Sequence, residues 1–280
     1  MRAVSCFGAM GGPENMWGEK GMESSDSLNR PAPPSLLDRG PVPSDVPISS
    51  VIANVHPCSY LPDRQANLPL VLPRQRVTPE QLDALLAAGM RRAGVFLYHA
   101  ACAECAACEP IRVDVNRFEW TDSWRRIRNR GDKSLEVALT PASTTPEKLA
   151  LFNRHRRERD LASDDSPYAL DDYESFLVES CCEHTLEMQF RLDGNLIAIS
   201  VIDCGKDSVS AVYTYFDPVH TKLSLGTYAI LKQIEFCKRT QRQFVYLGMY
   251  VAANRHLSYK ERFRPQQRWI RGKWIDIHSD

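Results

Sequence analysis

The sequence predicts an α+β protein of two domains: a small cysteine-containing N-terminal domain, then a C-terminal domain built on a mixed, mostly antiparallel sheet. Three observations lead there. The run Cys102-Ala-Glu-Cys-Ala-Ala-Cys108 sits between two apolar stretches that read as strands. Pro141 to Pro146 breaks the periodicity near mid-chain. Beyond that break the pattern reads helix, helix, three-stranded meander, helix, strand, short helix and strand. The expected division is a disordered leader over 1–45, one domain over 46–142 and another over 143–280. A chain of 280 residues can bury a good-sized core, and 43% hydrophobic with 25% charged residues is ordinary globular composition. Its 35 Lys and Arg balance 35 Asp and Glu, so no global field advertises a nucleic acid. No run approaches membrane-spanning length and no secretory leader is visible. The nine cysteines are therefore expected to be thiols or metal ligands of a cytoplasmic monomer.

Each element follows from local chemistry. Prolines such as Arg30-Pro-Ala-Pro-Pro34 cannot build a core, so the leader reads as disordered. Pro69 to Val77 is a short strand region interrupted by prolines. Thr78 to Gly89 is a helix: Thr78 caps it, Pro79 takes the first position, Gln81 completes a capping box and Gly89 ends it. Ala93–Tyr98 and Ile111–Val115 read as strands, and Ser134–Thr140 as another. Ser123–Arg130 reads as a helix on which Arg125 and Arg128 share a face, as do Arg126 and Arg130. Helices are expected from Pro146 into Arg159 and around Asp172–Cys181. Strands follow at Thr185–Leu192, Leu196–Cys204 and Val209–Phe216, the first two joined by an Asp193-Gly194 turn. A helix starting near Leu223, a short strand Phe244–Leu247 ended by Gly248, a short helix at Leu257–Phe263 and a closing strand Arg268–Ile277 complete the chain.

Two regions carry chemistry. Cysteines at three-residue spacing let thiolates of one tight loop reach a single metal or cluster, and Cys58 in His56-Pro-Cys58 offers a fourth ligand beside Cys102, Cys105 and Cys108. The alternative is a reduced loop whose cysteines pack as small hydrophobes. The element order of the second half is that of the GNAT acyltransferase fold, which binds an activated donor where a strand feeds the N-terminus of the central helix. Here that start is Ser224-Leu-Gly-Thr227, and its single glycine lacks the glycine-rich pyrophosphate loop expected for coenzyme A. Arg255 to Lys273 is a second basic region, interleaved with Tyr259, Phe263, Trp269 and Trp274. Localised basic faces on a neutral chain suit a nucleic acid of defined footprint.

Over about four fifths of its length the chain resembles bacterial aspartate/glutamate leucyltransferases, relatives of the arginyl-tRNA–protein transferases. The matching segments are Pro57-Cys-Ser-Tyr-Leu-Pro-Asp-Arg64, Gly89 to Arg92, Tyr98 through the cysteine run to Val115, Tyr213-Thr-Tyr-Phe-Asp-Pro218, Ser224-Leu-Gly-Thr227, Tyr246-Leu-Gly248 and Tyr259-Lys-x-Arg-Phe263. The resemblance implies an enzyme that takes Leu-tRNA, transfers the leucine to the N-terminal amine of proteins beginning with Asp or Glu, and so marks them for N-end rule degradation. It also implies an iron–sulfur cluster or zinc at Cys58, Cys102, Cys105 and Cys108. The donor ester is already activated, and an N-terminal amine of pKa about 8 is partly neutral at pH 7, so no nucleophilic side chain is required. His184 and His220 stand isolated. The expected catalytic set is Gly226, Thr227 and Tyr246 for the oxyanion, Tyr259 and Lys260 for proton movement, and Asp217 for the incoming ammonium. Arg91, Arg92, Arg125, Arg126, Ser224, Gly248, Arg262 and Arg264 are expected to bind substrates, the last two and Lys260 serving the acceptor's acidic side chain. Rival readings are the same transfer from Arg-tRNA, a coenzyme A-dependent acetyltransferase, and a metal-stapled tRNA-binding or redox-sensing protein without catalysis.

Overall fold

The computed structural model describes residues 41–161 and 166–277; the leader expected over 1–45 lies, as far as residue 40, outside them. The chain opens with β1 (Ile48–Ile52), β2 (Val55–Pro57), β3 (Gln65–Asn67), β4 (Leu70–Pro73) and α1 (Pro79–Ala87). The capping box on α1 forms as its sequence requires: the Thr78 hydroxyl accepts from the Gln81 amide while Gln81 Oε1 accepts from the Thr78 amide. Next come β5 (Arg91–Ala93) and β6 (Phe96–Tyr98), a hairpin where one strand was expected, because Gly94 turns the chain with φ 57°. β7 (Glu109–Asp114), α2 (Asp122–Ser134), β8 (Glu136–Pro141) and α3 (Pro146–Glu158) follow. α4 (Leu170–Tyr173) is short and widens into a π-helical turn over Glu174–Val178, in place of the regular helix expected near Asp172–Cys181.

β9 (Thr185–Leu192), β10 (Asn195–Cys204) and β11 (Ser208–Phe216) make the meander, and a 3₁₀ turn at Pro218–Leu223 leads into α5 (Leu225–Arg239). β12 (Phe244–Tyr250) and a 3₁₀ turn at Ser258–Arg262 precede β13 (Gln266–Ile270) and β14 (Lys273–Ile277). The closing strand is thus a hairpin: Arg271 and Gly272 both take positive φ, as Asp193 and Gly194 do, which is the backbone of a type I′ turn.

Eight strands form one sheet in the order β14-β13-β7-β12-β11-β10-β9-β8. Every pairing is antiparallel except β11 with β12. β7, α2 and β8, expected with the N-terminal half, belong to this body. β7 pairs with both β12 and β13, and Trp124 of α2 stacks on Phe263 at 4.8 Å. α2 also approaches α5 closely, since a Cβ on Gly131 would meet the Tyr228 ring at 2.2 Å. α5 buries Tyr228, Leu231 and Ile234 on one face of the sheet. α3 sets Leu151 and Phe152 against Ile199, Val201 and Tyr215 on the other. β10 is buried on both faces, which is why it reads as a nearly unbroken apolar run.

A second sheet, ordered β1-β4-β6-β5, stacks on α1 around Val71, Leu85, Leu86 and Leu97. Its joint with the large sheet is polar. Arg92 Nε donates to Asp203 Oδ2 of β10 at 2.6 Å, both side chains are essentially excluded from solvent, and Nη1 donates to the Gly94 and Glu179 carbonyls. Asp203 Oδ1 accepts from Thr185. A buried pair of this kind costs desolvation to assemble, but losing one partner strands a buried charge. Asp203→Ala should therefore lower unfolding free energy by about 3–5 kcal/mol, read as a shift in the urea midpoint.

Candidate active site

β11 and β12 run parallel for only three residue pairs, Ser208–Phe244, Val209–Val245 and Ser210–Tyr246, and then part. A register shift falls on each strand just beyond the last pair. On β11 it leaves Val212 unmatched against β10, and on β12 it leaves Leu247 unmatched against β7. Bulges of this kind bend a strand and end its pairing, and Gly248 completes the bend with φ 86°. The parted strands open onto the N-terminus of α5, forming a cleft of about 1120 Å³.

Two buried cations close the inner end of the cleft. Arg91 (5% exposed) donates from Nη2 to the Ala211 carbonyl of β11 at 3.0 Å. Lys260 (8% exposed) donates from Nζ to the Met249 carbonyl of β12 at 2.7 Å. Both heads face Gly248: a Cβ there would lie 3.4 Å from Arg91 Nη2 and 3.6 Å from Lys260 Nζ. Among the described residues neither forms a salt bridge, and Arg91 Nη1 is buried without a hydrogen bond. Burial, and then the neighbouring Arg91 charge, lowers the Lys260 amine to about 7. Glu109 is the one carboxylate among the described lining residues, and it takes Arg268 at 3.3 Å.

The outer end is the start of α5. Ser224 has φ 51° and its side chain caps no amide, while the first turn carries no acid. The amides of Leu225, Gly226 and Thr227 are thus left for an anion in the cleft, where all three residues lie. A Cβ on Gly226 would press to 3.2 Å on the Phe216 ring, so the glycine lets helix and strand end meet. Facing them are residues that the sequence does not single out. His155 Nδ1 of α3 lies 2.9 Å from the Phe216 carbonyl and 3.1 Å from its amide, the imidazole is edge-on to that ring, and burial drives it down to about 4. Arg159 sits over Phe216 at 5.3 Å and beside His256. No neighbouring residue or spacing marks these positions; a helix turn and a strand end bring them together.

Of the expected residues, Arg91, Arg92, Ser224, Gly226, Thr227, Gly248, Tyr259, Lys260 and Arg262 line the cleft. Arg92 does so with its head turned to Asp203. Three expectations are corrected. Tyr246 points to the other face of β12, into the core under α1. Its hydroxyl accepts from Arg112 at 2.9 Å and its ring packs on Trp274. Asp217 caps the 3₁₀ turn: Oδ1 accepts from Val219 N and Oδ2 from Arg154 at 2.5 Å, outside the lining. Arg264 also lies outside the lining, and its Nε donates to the Glu261 carbonyl. Arg125 and Arg126 are exposed on α2, away from the cleft.

The four motif cysteines line the same cleft. The β2–β3 hairpin carries Cys58 to the loop of the other three: Asn67 O accepts from Ala101 N, Asn67 N donates to Cys102 Sγ at 3.3 Å, and Arg64 donates to the Glu104 carbonyl. Burial pushes the Cys108 thiol up to about 12, with Cys58, Cys102 and Cys105 adding to the shift. All four are free thiols. As donors they suit a thiophilic metal or cluster. Among the described residues no three His, Cys, Asp or Glu side chains close on a common point in metal-coordinating geometry. No described helix is long and apolar enough to cross a membrane.

Comparison with known proteins gives two family models, one for each half of the chain. The model of the arginine-tRNA-protein transferase N terminus matches residues 56–126, and that of its C terminus matches 147–270. The aspartate/glutamate leucyltransferase of Hahella chejuensis is 40% identical over 222 residues, 79% of this chain and 94% of that protein. The enzyme of the same name from Methylobacillus flagellatus is 34% identical over 223 residues, covering 80% and 89%. Among solved structures, L-PGS from Bacillus licheniformis aligns with a TM-score of 0.40 at 14% identity, over 61% of this chain and 50% of that one. On the two family models and the two leucyltransferase matches the chain belongs to the arginine-tRNA-protein transferase family, a family of aminoacyltransferases.

Proposed function

We propose that this chain transfers leucine from Leu-tRNA to the N-terminal amine of proteins beginning with Asp or Glu, marking them for the N-end rule pathway. The observation that supports it best is the charge of the cleft: Arg91, Lys260, Arg159, Arg255 and Arg262 line it against a single, already paired carboxylate. Such a lining favours polyanionic and acidic substrates. It offers no anion to an arginyl side chain, which favours a leucyl donor. The 3′ end of the tRNA enters over Phe216 and Arg159, and the ester carbonyl meets the free amides of Leu225, Gly226 and Thr227. Donors fixed in advance at the place where negative charge develops typically contribute about 10²–10³ in rate. The acceptor's side-chain carboxylate is bound by the guanidinium of Arg91, whose buried Nη1 has no hydrogen bond, in place of the Arg264 expected from sequence. The exposed Arg125 and Arg126 of α2 contact tRNA phosphates; α2 reaches the cleft mouth through Arg130, which donates to the Lys222 carbonyl. Drawn together from the arrangement described above, the four thiols would hold a thiophilic metal or iron–sulfur cluster that stabilises their loop and supports the cleft wall.

Transfer from labelled Leu-tRNA to peptides beginning with Asp or Glu, with no transfer from Arg-tRNA and none to Asn or Lys peptides, is the expected result. Efficient use of Arg-tRNA would overturn the donor assignment. Arg91→Met should raise KM for Asp and Glu peptides by roughly 100-fold, the loss of a charge-assisted bond in a buried site. Tyr246→Phe should keep kcat within about threefold while costing about 1 kcal/mol of stability, because its hydroxyl serves Arg112 and not the oxyanion. Anaerobically purified protein should contain stoichiometric metal by elemental analysis, and Cys105→Ser should lose it.

A further inference from the structure

We infer that Lys260 is the base that takes the proton from the acceptor's α-ammonium, so that acceptor activation is performed by a buried amine rather than by a carboxylate or histidine. The inference deepens the transfer reading above and rests on it.

An acceptor ammonium must lose a proton before it attacks the ester; besides Lys260 the lining holds Glu109 and the imidazoles of His56, His155, His220 and His256, the last bonded by Arg159 and Arg255. Glu109 is held by Arg268, and Asp217 is held by Arg154 outside the lining. His155 keeps Nδ1 on the Phe216 backbone, and burial puts its basicity far below that of an amine. Lys260 differs on each count. Among the described residues its Nζ makes one hydrogen bond, donated to the Met249 carbonyl, and the 3₁₀ turn that carries it brings Nζ to the parted strands beside Gly248, which has no side chain to intervene. The groups facing it are Arg91 of β5, the carbonyl and glycine of β12, and Tyr60 and Tyr98 beyond Arg91. Its sequence neighbour Glu261 is turned away to the Tyr250 hydroxyl at 3.0 Å, and Asp203 is held by Arg92. A lone ammonium surrounded in this way is costly, so a fraction of Lys260 stands neutral near pH 7 with its lone pair available. The acceptor's carboxylate on Arg91 would then offset the charge that Lys260 acquires, which couples acidity of the acceptor to its activation.

The step balances. One proton passes from the acceptor ammonium to Nζ, and the freed lone pair forms the new C–N bond at the ester carbonyl carbon. As the tetrahedral oxyanion collapses, the C–O bond to the tRNA 3′ oxygen breaks. That oxygen takes a second proton from the attacking nitrogen, and the third remains as the amide N–H. Lys260 then returns its proton to water.

The test uses the full chain, Leu-tRNA and an Asp-initiated peptide. Wild-type kcat/KM should rise with pH through an apparent pKa near 7. Lys260→Arg keeps the charge but not the base, and Lys260→Met keeps neither. Both should fall by roughly 10²–10⁴ and rise instead through the peptide amine's own pKa of about 8. Trimethylamine, which accepts a proton but cannot be acylated, should partly restore Lys260→Ala. Folding is read separately. Because the folded-state pKa lies below the unfolded one, wild-type stability grows as pH rises from about 7 towards 10. Lys260→Met should therefore be more stable than wild type at pH 7, with the gap closing at higher pH. Near-wild-type rates with an unmoved acid limb in Lys260→Arg, or Lys260→Ala without rescue, would overturn the inference and leave the transfer reading standing. A wild-type chain inert with every donor and acceptor would overturn both.

Discussion

The site exists because two neighbouring parallel strands cannot stay paired. Past Ser210 and Tyr246, β11 and β12 diverge, and the carbonyls facing the gap need donors that neither strand supplies to the other. Arg91 serves Ala211 and Lys260 serves Met249. Each is a multiple donor, so serving one carbonyl leaves further hydrogen-bonding capacity turned towards the cleft. Backbone satisfaction and substrate recognition are therefore met by the same two side chains. That double duty is also why cations stand there without carboxylates: a carboxylate partner would consume the capacity that the gap and the ligand share.

The small sheet exists to deliver one of those side chains. Arg91 and Arg92 are consecutive on β5, so strand geometry sends them to opposite sides. Arg92 is the rivet that binds β5 to Asp203 of β10, and Arg91 is thereby held at the gap. Cys58 and the cysteine loop lie on the wall next to this hairpin, and Asn254 behind β12 donates to the Tyr60 carbonyl, tying that wall to the large sheet. Disturbing the thiol corner would be felt at Arg91 through packing, without a thiol entering the reaction.

The sequence exposes what local chemistry controls. The capping box of α1, the Asp193-Gly194 turn, the continuous apolar run of β10 and the position of the α5 start all follow from neighbouring residues, and the structure has them. It conceals what depends on partners far away in the chain. Asp217 looks available beside Pro218, yet Arg154, sixty-three positions earlier, claims it. Tyr246 looks catalytic next to Leu247 and Gly248, but the bulge at Leu247 sends the tyrosine and the glycine to different environments. Even alternation along β5, which separates Arg91 from Arg92, becomes visible only once the strand's limits are known. The hairpins at Gly94 and Arg271-Gly272 were hidden for a simpler reason: both strands of each are too short to show a period of two.

The position of β7 has a consequence for how the molecule comes into being. It is made before residue 115, yet its partners are β12 and β13, which end at residues 250 and 270. On the ribosome, β7 keeps both edges bare until β12 starts at Phe244, and one edge until β13 starts at Gln266. The last hairpin is therefore what seals the sheet, and the contact order is high for the middle of the protein. Such a chain folds late and as one piece, and β7 stands with an unpaired edge until the last hairpin has emerged.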